Sequence, residues 1–159
     1  MRIGIDFDNT IVSYGALFSQ TAIALGYLTA PSAGKTSVRD EVRTLAEGET
    51  KWRNLQAIVY GPAIADAPPF PGVREFLARA RAAAAPLFLV SHKSRYAANG
   101  PEGVDLREAA LGWLEANRLL GDRGFARENV YFEDTRAAKI ARLAALGCTH
   151  VIDDLAEVF

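Results

Sequence analysis

Short apolar runs alternate along this chain with longer stretches in which apolar residues recur every three or four positions. Ile3 to Ile5, Leu87 to Val90, Val130 to Phe132 and Val151 to Ile152 are each followed promptly by polar residues, the pattern of buried strands in a parallel sheet. The stretch after Val73 sets Phe76, Leu77 and Ala80 on one helical face, and the stretch after Asp105 does the same with Leu106, Ala110, Trp113 and Leu114. Asp105 and Glu108 have the spacing of a capping pair at the start of that second helix. Thr135 is the expected N-cap of a third helix carrying Ile140, Leu143 and Ala144, with Gly147 ending it in a left-handed turn. Strands alternating with helices through short connections predict an α/β fold, a Rossmann-like doubly wound parallel sheet.

The rhythm breaks between the first and second strands. Leu17, Phe18, Thr21, Ala22 and Leu25 form one helical stripe ended by Gly26. Val38, Val42, Leu45 and Ala46 form another, begun by Thr36 or Ser37 and ended by Gly48, and Trp52, Leu55 and Val59 form a third, stopped at Gly61-Pro62. Between Gly61 and Gly72 lie four of the seven prolines, Pro62, Pro68, Pro69 and Pro71, which make a stiff, non-helical connector. Residues 14–70 therefore read as a small helical cap inserted into a core of residues 1–13 and 71–159.

Composition narrows the class. The chain has 159 residues, 50% apolar and 23% charged, which suits one globular domain with a small insert. A chain of this length buries roughly 70% of its unfolded surface and needs no disulfide to hold a core. The single cysteine, Cys148, excludes an intramolecular disulfide and a metal-thiolate cluster. With 18 Lys and Arg against 19 Asp and Glu, the net charge of −1 predicts neither a nucleic-acid footprint nor attraction to an anionic membrane. The longest apolar run, Ala82 to Val90, is nine residues with Pro86 inside it. A spanning helix needs ~20. Met1-Arg2-Ile3-Gly4-Ile5 leads at once into an acidic cluster, leaving no room for a signal peptide, so a cytoplasmic protein is expected.

That cluster, Asp6-Phe7-Asp8-Asn9-Thr10, directly follows the first strand. Residues two apart at a strand end point the same way, so Asp6 and Asp8 face one point while Phe7 turns into the core. The ligand crevice of an open α/β sheet lies beyond the carboxyl ends of its strands. The second strand delivers Ser91 to that edge and the last strand delivers Asp153 and Asp154, while Lys139 sits about one turn into a helix whose N-terminus faces it. Two unit charges ~4 Å apart repel by roughly 4 kcal/mol at an effective dielectric of about 20, so three converging carboxylates call for a cation among them. Hard oxygen ligands, with no His or Cys beside them in sequence, select Mg²⁺ over Zn²⁺, and Mg²⁺ commonly takes phosphate oxygens as well. A small phosphorylated substrate is implied.

The same residues suit phosphoryl transfer. An aspartate with an ordinary pKa of about 3.9 is ionised at neutral pH, so Asp6 needs no base to attack phosphorus. Asp8 is placed to protonate the leaving oxygen and then to deprotonate the attacking water. Lys139 would screen the nucleophile from a phosphate dianion, and Ser91 would donate to a phosphate oxygen. His92, Lys93 and Arg95 follow Ser91 on what reads as a loop and are candidates for contacting the substrate.

In order and strand context, Asp6-Phe7-Asp8-Asn9-Thr10, Ser91, Lys139 and Asp153-Asp154 resemble the four motifs of the haloacid dehalogenase (HAD) superfamily, over residues 3–154. The resemblance implies a HAD-like fold with Asp6 as nucleophile, Asp8 as acid/base, and Ser91 and Lys139 stabilising phosphate and intermediate. It implies Mg²⁺ ligation by Asp6, the Asp8 backbone carbonyl, Asp153 and Asp154, with Asn9, Thr10, His92 and Lys93 near the substrate. An insert between the first two motifs is where that superfamily places a helical cap. Members that cleave carbon–halogen bonds do not use the second aspartate, so Asp8 favours a phosphatase. Only residues 155–159 follow Asp154, where relatives usually continue with further helix and strand, so an incomplete crevice wall is expected there.

Three other readings compete. A phosphomutase or phosphotransferase would pass the same aspartyl phosphate to a sugar hydroxyl. A receiver-like switch would place its phosphorylated aspartate after a middle strand, where this chain has Ser91, and would lack the large insert. A non-catalytic HAD-like regulator would retain the fold without turnover. Asp154 has a second role open to it, as the N-cap of a short closing helix. The sequence carries no signal for an oligomeric state.

Overall fold

The computed structural model describes residues 1–97 and 104–156. The expected core segment runs through 98–103 and 157–159, which lie outside the described residues. Four parallel strands, β1 (Ile3–Ile5), β2 (Leu87–His92), β3 (Val130–Glu133) and β4 (His150–Ile152), form one sheet in the order β3-β2-β1-β4. The helices are α1 (Gly15–Ala24), α2 (Gly34–Arg43), α3 (Gly48–Tyr60), α4 (Val73–Ala82), α5 (Leu106–Ala116) and α6 (Arg136–Ala145). The chain is α/β with a wholly parallel sheet, compatible with a Rossmann-like fold. Among the described residues no helix is long and apolar enough to cross a membrane.

The chain divides into two compact units, one of residues 1–12, 69–94 and 111–159, the other of 13–68 and 95–110. The first holds the sheet. Register pairs Ile5 with Leu89 on one side and with Ile152 on the other, so β1 and β4 end level with one another while β2 runs on to His92. Strand order reverses between β1 and β4, and in open α/β sheets the ligand crevice lies at such a reversal, beyond the carboxyl ends. Phe88, Val90 and Leu143 form a buried cluster where α6 crosses β2 and β3. On the other face Phe7 meets the edges of Trp113 and Phe132, with ring centroids 5.5 and 6.2 Å away.

Several local expectations are met. Thr135 Oγ1 accepts the Ala138 N–H at 3.1 Å and caps α6, and Gly147 adopts φ 63° just beyond it. Asp105 Oδ1 accepts from the N–H groups of Arg107 and Glu108 at the start of α5. Leu106, Ala110, Trp113 and Leu114 are all buried.

Other positions differ from the reading of the sequence. α2 begins at Gly34, before Thr36, and ends at Arg43, and Gly48 opens α3 where a helix stop was expected. A Cβ on Gly48 would lie 2.4 Å from the Arg43 carbonyl oxygen, so this glycine serves close backbone approach, and Glu47 takes the left-handed turn at φ 57°. Phe76, Ile140 and Leu25 sit on stripes expected to be buried yet are 37%, 41% and 36% exposed. In α6 the reason is specific: the buried face carries Lys139 and Leu143, which rotates Ile140 outward.

The second unit is a helical body in its own right. Phe18 stacks on Trp52 at 5.3 Å, and Tyr14 and Phe18 both meet the edge of Tyr60. Gly61 allows Val104 and Leu106 to approach, since a Cβ there would lie 2.8 and 3.3 Å from their side chains. Surface charges form exposed pairs here, Arg39 with Asp40 and Glu49 with both Arg43 and Arg53. Pairs of this kind contribute about 0–1 kcal/mol each.

Candidate active site

Two matched spacings build the centre of the site. On β1 and its extension, Gly4 and Asp6 are two apart and share a face of the sheet; on α6, Lys139 and Leu143 are four apart and share a face of the helix. Leu143 lies so close over Gly4 that a Cβ there would be 2.2 Å from Leu143 Cδ2. One turn earlier, the same closeness brings Lys139 Nζ to 2.6 Å from Asp6 Oδ1 and 2.5 Å from Asp153 Oδ2. All three side chains are buried.

Asp153 arrives from the end of β4, held by the ladder bond from Asp6 N–H to the Ile152 carbonyl at 2.9 Å. Its Oδ1 accepts the Leu155 N–H at 3.0 Å, so the turn-capping carboxylate here is Asp153. Its buried Oδ2 lies in ionic contact with Lys139 but lacks an aligned hydrogen bond among the described residues. Asp6, Asp153 and Asp154 each offer a carboxylate oxygen, and these lie within 4.8 Å of one another, with Asp154 on the exposed side. Burial pushes the Asp6 carboxyl up to about 6, against the pull of Lys139, and the nearby charges of Asp8 and Asp153 add to the rise. The cation expected among converging carboxylates is in part the protein's own: the Lys139 ammonium sits between Asp6 and Asp153.

Asp8 has a different partner. Lys93 Nζ donates to both Asp8 oxygens at 2.9 Å and lies 5.4 Å from the centroid of the Phe7 ring. Lys93 is only 4% exposed, and its N–H donates to the Glu133 carbonyl, continuing the β2–β3 ladder past His92. The sequence reading placed Lys93 on a loop beside the substrate and missed this pairing. The signal was present in the alternation Leu89, Ser91, Lys93, which runs along one face of the strand and beyond its end.

Ser91 is 1% exposed, and its Oγ has no hydrogen-bond partner among the described residues; the same holds for Thr10 Oγ1. By register Ser91 lies level with Phe7, alongside the turn that carries Asp6 and Asp8. Thr10 lines an apolar cleft of about 280 Å³ together with Ile5, Ile11, Phe70 and Ile152. Asn9 holds the left-handed conformation at φ 58°, and the N–H groups of Thr10, Ile11 and Val12 converge on the Phe7 carbonyl, which turns the chain sharply away from the sheet. His92 belongs to β2; its exposed ring sits 3.1 Å from the Asp134 carbonyl, directed toward the start of α6. Arg95 pairs with Asp105 at 2.6 Å within the second unit.

The chain finds no match among protein-family models, curated proteins or solved structures. The chemistry of the site is therefore read from its own atoms. Four carboxylates, Asp6, Asp8, Asp153 and Asp154, stand against two ammonium groups, Lys93 and Lys139, leaving a formal charge of −2. That deficit and the hard oxygen donors of Asp6, Asp153 and Asp154, which lie within 4.8 Å of one another, fit a divalent ion of the Mg²⁺ type.

Proposed function

We propose that this chain is a Mg²⁺-dependent phosphohydrolase of the HAD type, acting on a small phosphorylated substrate through an aspartyl-phosphate intermediate. The observation that carries the reading is the buried set Asp6, Lys139 and Asp153, in which a carboxylate placed for attack is held by an ammonium group beside a second, incompletely bonded carboxylate. Two buried hydroxyls without a hydrogen-bond partner among the described residues, Ser91 Oγ and Thr10 Oγ1, support it, because buried hydroxyls are nearly always hydrogen-bonded and these have donors to give to phosphate oxygens.

Asp6, Asp153 and Asp154 would hold Mg²⁺, with the Asp8 carbonyl. Bound there, the ion supplies charge neutralisation for phosphate oxygens. Asp6 Oδ attacks phosphorus while the ester oxygen leaves with the phosphorus–oxygen bond electrons and takes a proton from Asp8, which must enter this step as the carboxylic acid, with one of its two Lys93 contacts given up. Asp8 then takes a proton from water as the water's oxygen attacks the aspartyl phosphate, releasing inorganic phosphate and restoring Asp6. Lys93 holds both Asp8 oxygens and so fixes the direction in which this carboxylate reaches. Lys139 keeps Asp6 in place and offsets charge as the phosphate dianion approaches.

The test is phosphate release from a panel of phosphomonoesters, with wild type beside Asp6→Asn. Mg²⁺-dependent release abolished by the substitution is expected; release that the substitution leaves unchanged contradicts the assignment. Transfer of the phosphoryl group to a sugar hydroxyl, with no free phosphate, would replace the hydrolase with a transferase.

A further inference from the structure

Away from the carboxylate edge, the sheet unit carries a cleft of about 490 Å³ between α4 and the loop that follows α5. Its walls hold four arginines, Arg74, Arg81, Arg118 and Arg123, against one carboxylate, Asp122; the remainder is Ala78 and Leu119. In a chain whose net charge is −1, this concentration of guanidinium groups is local and specific.

The arginines divide by task. Arg81 donates to the carbonyls of Gly121 and Gly124 at 3.1 and 3.0 Å, and Arg74 to the Asn117 carbonyl, so these two fasten the loop to α4. The loop is tightly made: Gly121 N–H donates to Phe125 at 2.8 Å and Phe125 N–H to Leu119 at 2.8 Å. At Gly124 a Cβ would overlap the Leu119 carbonyl. Arg118 and Arg123 have no hydrogen bond or ion pair through their side chains among the described residues.

The conformation of Arg118 is the second observation. α5 ends in a Schellman arrangement, with Arg118 N–H on the Glu115 carbonyl and Leu119 N–H on the Leu114 carbonyl, and Arg118 takes the left-handed position at φ 58°. Glycine fills that position without strain; arginine there costs conformational energy, and its side chain makes no hydrogen bond or ion pair among the described residues. α4 ends in the same way with Ala84 at φ 51°, so what sets Arg118 apart is an exposed guanidinium on the wall of the cleft.

We propose that this cleft is a binding site for the polyphosphate group of a small molecule, distinct from the carboxylate centre. Guanidinium forks match phosphate oxygens two at a time, and four of them suit several linked phosphates better than a single carboxylate. No aromatic ring lines the cleft, so it offers no stacking platform for a base, and the phosphate chain itself is what it recognises.

The test uses sodium tripolyphosphate, titrated calorimetrically into the whole chain in EDTA. Wild type is expected to bind one equivalent, more weakly as salt is raised. Arg118→Gly/Arg123→Gln is expected to bind roughly tenfold or more weakly, a loss of about 1.4 kcal/mol. Arg118→Gly alone relieves the strained position, so its melting temperature should rise while its affinity falls, a pairing that misfolding cannot produce. Ser91→Ala should bind tripolyphosphate as wild type does, and the double variant should keep wild-type phosphomonoester hydrolysis, which separates this cleft from the carboxylate centre. ATP binding no more tightly than tripolyphosphate supports the phosphate chain as the group recognised, and markedly tighter ATP binding overturns that reading by showing a base contact the lining does not offer. Unchanged affinity in the double variant, affinity lost through Ser91→Ala instead, or tighter binding of a short single-stranded DNA than of tripolyphosphate overturns the proposal.

Discussion

Gly4 and Leu143 are in contact closer than any side chain at position 4 would allow, and that contact sets the depth at which α6 lies on the sheet. Lys139, one turn from Leu143, reaches Asp6 and Asp153 because of it. Gly4→Ala should therefore destabilise the fold by about 1–3 kcal/mol through overpacking and should also lower activity by lifting Lys139. Pairing it with Leu143→Ala should relieve the overlap and recover activity more than stability, since the second change opens a cavity. Denaturant unfolding and steady-state assays of the three variants check this.

The Asp6 carboxyl, raised to about 6 by burial, gives the stability of the ion-free protein a defined pH dependence. A carboxyl whose folded pKa lies above its ordinary value of 3.8 binds a proton more tightly in the folded state. Its contribution is complete below 3.8 and is lost as pH rises through about 6. Over that window wild type should lose up to roughly 3 kcal/mol relative to Asp6→Asn, which cannot titrate there. Urea titrations of both proteins from mildly acidic to neutral pH, without divalent ions, test the sign: the difference must move in favour of Asp6→Asn as pH increases.

The Lys93–Asp8 pair is lopsided in burial, with the lysine side chain 3% exposed and the aspartate side chain 22%. Lys93→Met leaves a carboxylate that water can reach and should cost on the order of 1–2 kcal/mol. Asp8→Ala takes a carboxylate away from a buried ammonium and should cost more than Lys93→Met. Chemical denaturation decides it; equal costs would mean that the pair is more open to water than this geometry allows.

Thr135→Ala removes the only side-chain cap of α6 among the described residues and should cost about 1 kcal/mol. Because Lys139 rides one turn further along that helix, activity should fall as well, and Thr135→Ser should restore both.

Much of this arrangement was legible in the sequence, and what was not has physical reasons. The strands and Asp6, Ser91 and Asp153 could be placed because a short apolar run followed by a polar residue has few alternatives in a parallel sheet, and Lys139 because Thr135 marks the start of the helix that carries it. Lys93 could not, because a lysine two residues past a strand reads as solvated until a cross-strand bond to Glu133 and a carboxylate from another strand account for it. Ile140 was misplaced for the complementary reason: periodicity favours the apolar residue for the core, while here the core side of the helix is claimed by Lys139, which pairs with two buried carboxylates. Gly48 looked like a helix stop, and its actual task is to admit the Arg43 carbonyl across the short turn between α2 and α3, a close approach that leaves the same glycine signal as a stop.

The central claim is that Asp6 carries the phosphoryl group during turnover. Acid-quenching the enzyme with a hydrolysed substrate and Mg²⁺, followed by peptide mapping by mass spectrometry, addresses it most directly. The account predicts a phosphoryl mass increment on the peptide containing Asp6, absent in Asp6→Asn and dependent on Mg²⁺. Turnover with no increment on that peptide, or with the label on another residue, would contradict it.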